Sequence, residues 1–277
     1  MPSARIRPNP ATEPAECAST LPGAAQEGTP FMFPDDLQIW LNHFEYHAEH
    51  PRCVPPGLPD VLRPAERRLI AGSVATFQLG EQSGGGTLLR AAARFARLHR
   101  TPAVVRITEL FIREEQRHAA LLRAFMQDHQ IPLKSRDWTD RAFRRVRRLA
   151  GFELYLRVLI SAELIGNVYY RALESATGCR RLKVLCRTLV AEELAHIGFE
   201  SQLLLALRAR RAAATRLLMR LAHRTFFAGT ALTVWLTHRS LLRHCGYNAR
   251  GFLRVCLAQY AFYLEPVTVT LASPSVP

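Results

Sequence analysis

Two short stretches carry residue types that could do chemistry: Arg113-Glu114-Glu115-Gln116-Arg117-His118 and Ala191-Glu192-Glu193-Leu194-Ala195-His196. Both read E-E-x-x-H. A Glu and a His three residues apart share one helix face. Glu115 with His118, and Glu193 with His196, can therefore each chelate one metal ion. One such pair recurs by chance on exposed helices, where Arg113 and Arg117 would simply salt-bridge Glu114. Two pairs inside apolar sequence form a much stronger signal. The flanks Leu189-Val190-Ala191 and Ile197-Gly198-Phe199 are too apolar for an exposed helix.

Each motif has a candidate partner glutamate on the preceding helix, Glu81 and Glu163. Residues at one level of an antiparallel hairpin are symmetric about its turn. The midpoint of Glu81 and His118 is 99.5, beside Thr101-Pro102, and that of Glu163 and His196 is 179.5, beside Thr177-Gly178. Each lone glutamate thus comes level with its own E-x-x-H pair, to within a few ångströms at about 1.5 Å rise per residue. The spacings, 34 residues from Glu81 to Glu115 and 30 from Glu163 to Glu193, mark an internal two-fold repeat. Packed face to face, the hairpins would enclose four carboxylates and two imidazoles. Without cations such a cluster would repel and would be costly to desolvate. Two metal ions remove the problem, and hard carboxylate donors with one imidazole each favour iron or manganese over zinc.

The elements that must position these residues are helices. A period-3.6 pattern opens at Pro64, a first-turn proline, and runs to about His99 as one helix. Thr101-Pro102 predicts an N-cap and first-turn proline for a second helix to about Gln130. Residues 131–151 read as a longer polar connection with a short basic helix. Further helices are expected from Phe152 to Ser175, from Arg180 to Arg208, over 212–243 and over 248–263. An amphipathic helix using Leu37, Trp40, Leu41 and Phe44 precedes a Pro-rich connection at 51–63, and His47 and His50 at its end read as surface residues. The fold class is therefore all-α: a four-helix bundle with one long crossover, plus extra C-terminal helices. The expected organisation is a disordered tail at 1–30, the first helix and connection at 31–63, the bundle at 64–208, packed C-terminal helices at 209–265 and a tail at 266–277. Val267–Leu271 is the only strand-like stretch.

Over residues 64–208 the sequence resembles the ferritin-like di-iron carboxylate superfamily, in which two helices each give a Glu and two each give E-x-x-H. The resemblance implies that Glu81, Glu115 and His118 serve one metal, that Glu163, Glu193 and His196 serve the other, and that Glu115 and Glu193 bridge. It also implies that Glu114 and Glu192 stand where oxygenase members often have an Asp that hydrogen-bonds a histidine. Each precedes the His of its own helix by four residues. Gly84 and Gly85 in the run Gly84-Gly85-Gly86 share the face of Glu81 in a continuous helix. They suit either space beside the metals for substrate or O2, or a local unwinding that lets Glu81 move, or else close packing or a kink. Asn167 and Tyr170 face the same interior, and Tyr170 reads either as a buried core tyrosine or as a redox-active or hydrogen-bonding neighbour.

The implied function is an O2-activating oxygenase or oxidase, a di-iron oxidoreductase taking a small organic substrate and electrons from an external donor. The same six ligands would serve a ferroxidase or iron-storage protein, although storage subunits usually end soon after the bundle. They would also serve hydroxylation of a tRNA base. The chain has 277 residues and a formal charge of +14, which would suit nucleic acid. That clue is weakened because 35 of the 37 bases are Arg, a ratio closer to codon bias than to phosphate binding. From Arg141 onward only seven acids face twenty-one bases, and three of the seven (Glu163, Glu192 and Glu193) lie in apolar sequence. No run approaches the roughly 20 apolar residues of a spanning helix. Six cysteines without C-x-x-C spacing read as reduced thiols of a cytoplasmic protein. A homodimer is compatible with all of this.

Overall fold

The computed structural model describes residues 33–82, 85–135 and 151–265. Among these, every regular element is a helix: α1 (Phe33–Glu49), α2 (Pro64–Glu81), α3 (Gly86–His99), α4 (Ala103–Asp128), α5 (Phe152–Ser175), α6 (Arg180–Ala209), α7 (Ala213–Thr237), α8 (Arg239–His244) and α9 (Ala249–Leu264). The chain is all-α, as its periodicity predicts. No helix of the described residues is long and apolar enough to cross a membrane. The expectations for the tail at 1–30, the short basic helix in the crossover, Gly84 and the Val267–Leu271 strand all lie outside the described residues. The thiols of Cys53, Cys179, Cys186, Cys245 and Cys256 are free.

The inward stripe of α4 runs Val104, Ile107, Phe111, His118, Leu122 and Phe125, all buried at helical spacing, with Glu115 level between Phe111 and His118. On α6 the stripe runs Leu182, Leu185, Leu189, Glu193, His196, Leu203 and Leu207. Polar ligand-type residues thus replace core residues in the middle of two otherwise apolar faces. α5 is buried nearly all round, and α5 with α6 forms the most extensive helix pair. α2 and α3 both pack on α4, α4 meets α6, and α9 covers α5, α6 and α7. α1 lies on α4 and presses Trp40 against Gly198 of α6. An added methyl at Gly198 would stand 2.8 Å from the indole, so only glycine permits that approach.

The ends of the hairpins are tied by charge. Glu66 in the first turn of α2 accepts from the Gly178 amide at 3.0 Å, which fixes α2 to the α5–α6 turn. Asp60, in the Pro-rich connection, accepts from His129 at 2.7 Å and Arg181 at 2.6 Å, joining the end of α4 to the start of α6.

Three local expectations are corrected. The helix expected over 64–99 is two helices, one ending at Glu81 and the next beginning at Gly86. Gly85 has φ +64, and a Cβ there would sit 2.5 Å from the Ile112 side chain, so the chain turns at a residue with no side chain and packs its backbone on α4. Glu81 therefore ends α2, and Gly85 does not share its helical face. The helix expected over 212–243 breaks at His238, whose Nδ1 lies 2.8 Å from Ser73 Oγ of α2. The cap expected from Thr101 is absent. α4 opens at Ala103, and the buried Thr101 hydroxyl makes no hydrogen bond.

Candidate metal centre

The two hairpins bring all six predicted ligands together. Glu81, Glu115, His118 and Glu193 offer atoms within 4.8 Å of one another, and so do Glu115, Glu163, Glu193 and His196. Glu115 and Glu193 belong to both sets. Glu115 Oε1 lies 3.5 Å from His118 Nδ1 and 3.2 Å from His196 Nδ1. Glu193 lies 3.2 Å from His118 Nδ1 and 3.3 Å from His196 Nδ1. The positions at the centre of the repeat are thus the ones shared between its halves.

Both imidazoles turn Nδ1 inward and Nε2 outward. The outward nitrogens meet Glu192 and Glu114, but each glutamate serves the other hairpin. His118 Nε2 of α4 lies 2.8 Å from Glu192 of α6, and His196 Nε2 of α6 lies 3.1 Å from Glu114 of α4. The expectation that each would hold the His four residues along its own helix is corrected. On one helix an i+4 carboxylate would reach the same inward face as the ligands, whereas the facing helix can approach the imidazole from behind. Arg117 bridges the two glutamates, 3.0 Å from Glu114 and 2.7 Å from Glu192. Phe44 of α1 and Phe111 of α4 flank the His196 ring. His47 is half-buried and lies within 4.8 Å of Glu114 and Glu192, so it belongs to the back of the site rather than to open surface.

The electrostatics follow from burial against partners. Burial pulls both imidazoles down, but carboxylates outweigh it and hold them well above the ordinary range. For His118 these are Glu115, Glu192 and Glu193, and for His196 they are Glu114, Glu115 and Glu193. Burial pushes Glu114 up, yet His196, His118 and Arg117 bring it down to about 2. Glu115 is likewise held below the carboxylate range by the two imidazoles, against its burial. Burial raises Glu81, helped by Glu115 and Glu193. It also raises Glu163, helped by Glu200 and Glu193.

Glu200 is a buried carboxyl beside the candidate site that the sequence did not single out. It is buried, neither of its oxygens has a hydrogen-bond partner, and burial holds it well above the usual carboxylate range. A signal was present. Glu200 lies one turn beyond His196 on the same face, and it is one of the seven acids after Arg141. It has no counterpart in the repeat. Glu114, Glu115 and His118 each recur 78 residues on, whereas the position 78 residues before Glu200 is Leu122.

A cavity of about 160 Å³ reaches the carboxylates from one side. Glu81, Glu115, Glu163 and Glu193 face it, and its walls are mostly apolar, with Phe77, Leu88, Phe111, Val158 and Ile165 among them. Gly85 lines it while also packing on Ile112. Tyr170 lines it and donates its hydroxyl to Glu81 Oε1 at 2.5 Å. Asn167 is corrected. Although buried, its Oδ1 accepts from Arg171 at 3.0 Å and Gln259 at 3.4 Å, which turns it toward α9 and away from the site. The chain matches no model of a known protein family, no curated protein and no solved structure.

Proposed function

We propose that the chain is a ferritin-like di-iron carboxylate protein, an O2-activating oxidase or oxygenase of a small organic substrate. In this reading α2 with α3, α4, α5 and α6 are the four layers of the bundle. The observation that carries it is the pair of overlapping donor sets, four carboxylates and two imidazoles, sharing Glu115 and Glu193. The donors suit hard cations with some nitrogen ligation, which favours iron or manganese. The buried groups also lack other partners: both Glu163 oxygens and His118 Nδ1 make no aligned hydrogen bond. Buried unsatisfied atoms each cost about 1–3 kcal/mol, and a pair of cations would satisfy them.

Glu81, Glu115, His118 and Glu193 would hold one ion, and Glu115, Glu163, Glu193 and His196 the other. When bound, the irons supply the redox chemistry that O2 reduction needs, with electrons from an external donor. The chain's own residues do the rest. Glu192 and Glu114 accept from the imidazole Nε2–H, which leaves each Nδ1 lone pair facing inward. Tyr170 holds Glu81 through its hydroxyl. The apolar walls exclude water and fit an organic substrate against the carboxylates.

The test is metal analysis of the protein loaded with Fe(II) under argon, followed by O2 consumption. About two irons per chain are expected, with loss of both iron and O2 uptake in Glu115→Ala. Wild-type protein that takes up no metal would overturn the proposal. Growth of a mineral core beyond two irons per chain would replace it with storage.

A further inference from the structure

A second cavity, of about 1110 Å³, lies between α3, α5 and α7, next to the one at the carboxylates. Its walls are apolar, with Phe95, Phe152, Leu207 and Phe226 among them, yet four guanidiniums line it: Arg94, Arg157, Arg210 and Arg211. Glu153 is the one carboxylate among the lining residues. It already serves two of the four, accepting from Arg157 at 2.7 Å and from Arg211. His223, which also lines the cavity, adds no charge. Burial, with Arg157 and Arg208 beside it, pushes its imidazole down to about 3.

Arg157 is the decisive residue. It is only 4 % exposed, and its Nε and Nη1 have no hydrogen-bond partner. A buried guanidinium with two idle donors is costly, and its planar fork matches a carboxylate or phosphate. Val158, the next residue along α5, lines both cavities. From Arg157 to Glu163 is six residues, about 9 Å along the helix axis.

We propose that this groove binds an anionic amphiphile, with its carboxylate or phosphate head on Arg157 and its apolar body along the α3, α5 and α7 walls. The body runs past Val158 toward Glu163. The binding claim stands on the Arg157 cavity alone, and only delivery of the body to the carboxylates rests on the di-iron reading.

The test uses metal-free full-length protein and isothermal titration calorimetry with decanoate, decyl phosphate, decanol and acetate. At least one of the two anionic decyl probes is expected to bind one per chain, about tenfold or more tighter than decanol, as a charge-assisted hydrogen bond requires. The tighter of the two identifies the head. Acetate is expected to bind more weakly than decanoate. Arg157→Gln should lose about the same tenfold. Glu153→Gln should tighten binding, because it removes the carboxylate that competes for Arg157, and it keeps the test informative if Arg157→Gln does not fold. Decanol binding as tightly as both anions, acetate matching decanoate, or no tightening in folded Glu153→Gln would each overturn the proposal. Iron content is measured separately, so failure of the metal reading and failure of this one are distinguishable.

Discussion

Removing the Glu192 carboxylate tests the exchange of partners between the hairpins. Two histidines are candidate partners for the Glu192 carboxylate: His196, four residues on along its own helix, and His118, on the facing helix. The structure puts it 2.8 Å from His118 Nε2, with both side chains fully buried. A charge-assisted hydrogen bond of this kind contributes about 1.5–3 kcal/mol, and low local dielectric favours the upper half. A double-mutant cycle isolates the pairwise part. Glu192→Ala and His118→Ala should couple by about 1.5–3 kcal/mol. Glu192→Ala and His196→Ala, which are linked only indirectly through Arg117 and Glu114, should couple by clearly less than that. The assay is urea unfolding of metal-free protein followed by far-UV circular dichroism, so iron loading does not enter. The reciprocal pair Glu114 and His196 should couple less, because it is longer, at 3.1 Å, and Glu114 is partly exposed. Stronger coupling of Glu192 to His196 than to His118 would refute the crossed arrangement.

Other outcomes follow from single features. Gly85→Ala should destabilise by about 2 kcal/mol or more, since it combines a left-handed backbone with overlap on Ile112, and Ile112→Ala in the same chain should recover part of the loss in urea midpoint. Glu200→Met should raise the stability of the metal-free protein by about 1–3 kcal/mol, because it removes a buried carboxyl with no partner; an unchanged or lower urea midpoint would show that Glu200 is satisfied after all. His223 is depressed to about 3, so below its unfolded value near 6.5 the unfolded chain takes a proton that the folded chain refuses. Its contribution to stability is thus complete above about pH 6.5 and declines as pH falls toward 3. Between pH 7 and 5 wild type should lose about 2 kcal/mol more than His223→Gln.

The carboxylate–histidine cluster was legible because Glu and His at i, i+3 spacing share one helix face and the chain repeats the pair. Glu81, Glu115, His118, Glu163, Glu193 and His196 could be placed by periodicity and hairpin symmetry alone. The partners of the imidazoles could not. Apart from Glu115, the acid visible beside His118 in the sequence is Glu114, and nothing in the sequence reports the distance from His118 to Glu192, 74 residues away. The break after Glu81 was hidden for a related reason. A glycine run weakens a helix wherever it falls, but whether the helix bends or stops was decided by Ile112 on α4. Nothing in the sequence marks Arg157, because its burial depends on how the helices around α5 pack. Glu200 stood between Phe199 and Ser201 with no repeat partner to mark it.

The exchange of glutamates between α4 and α6 also bears on how such a chain can arise and be taken apart. If residue i of one half reaches residue j of the other, and the equivalent of j reaches the equivalent of i, the contact is isologous, the kind that joins two copies related by a two-fold axis. Glu114 with His196 and Glu192 with His118 satisfy that rule inside one polypeptide. Each hairpin holds a histidine that only its complement can orient. The covalent crossover therefore fixes the stoichiometry of what is geometrically a dimer. Two separately expressed hairpins would have to find each other before either could hold its imidazole in place.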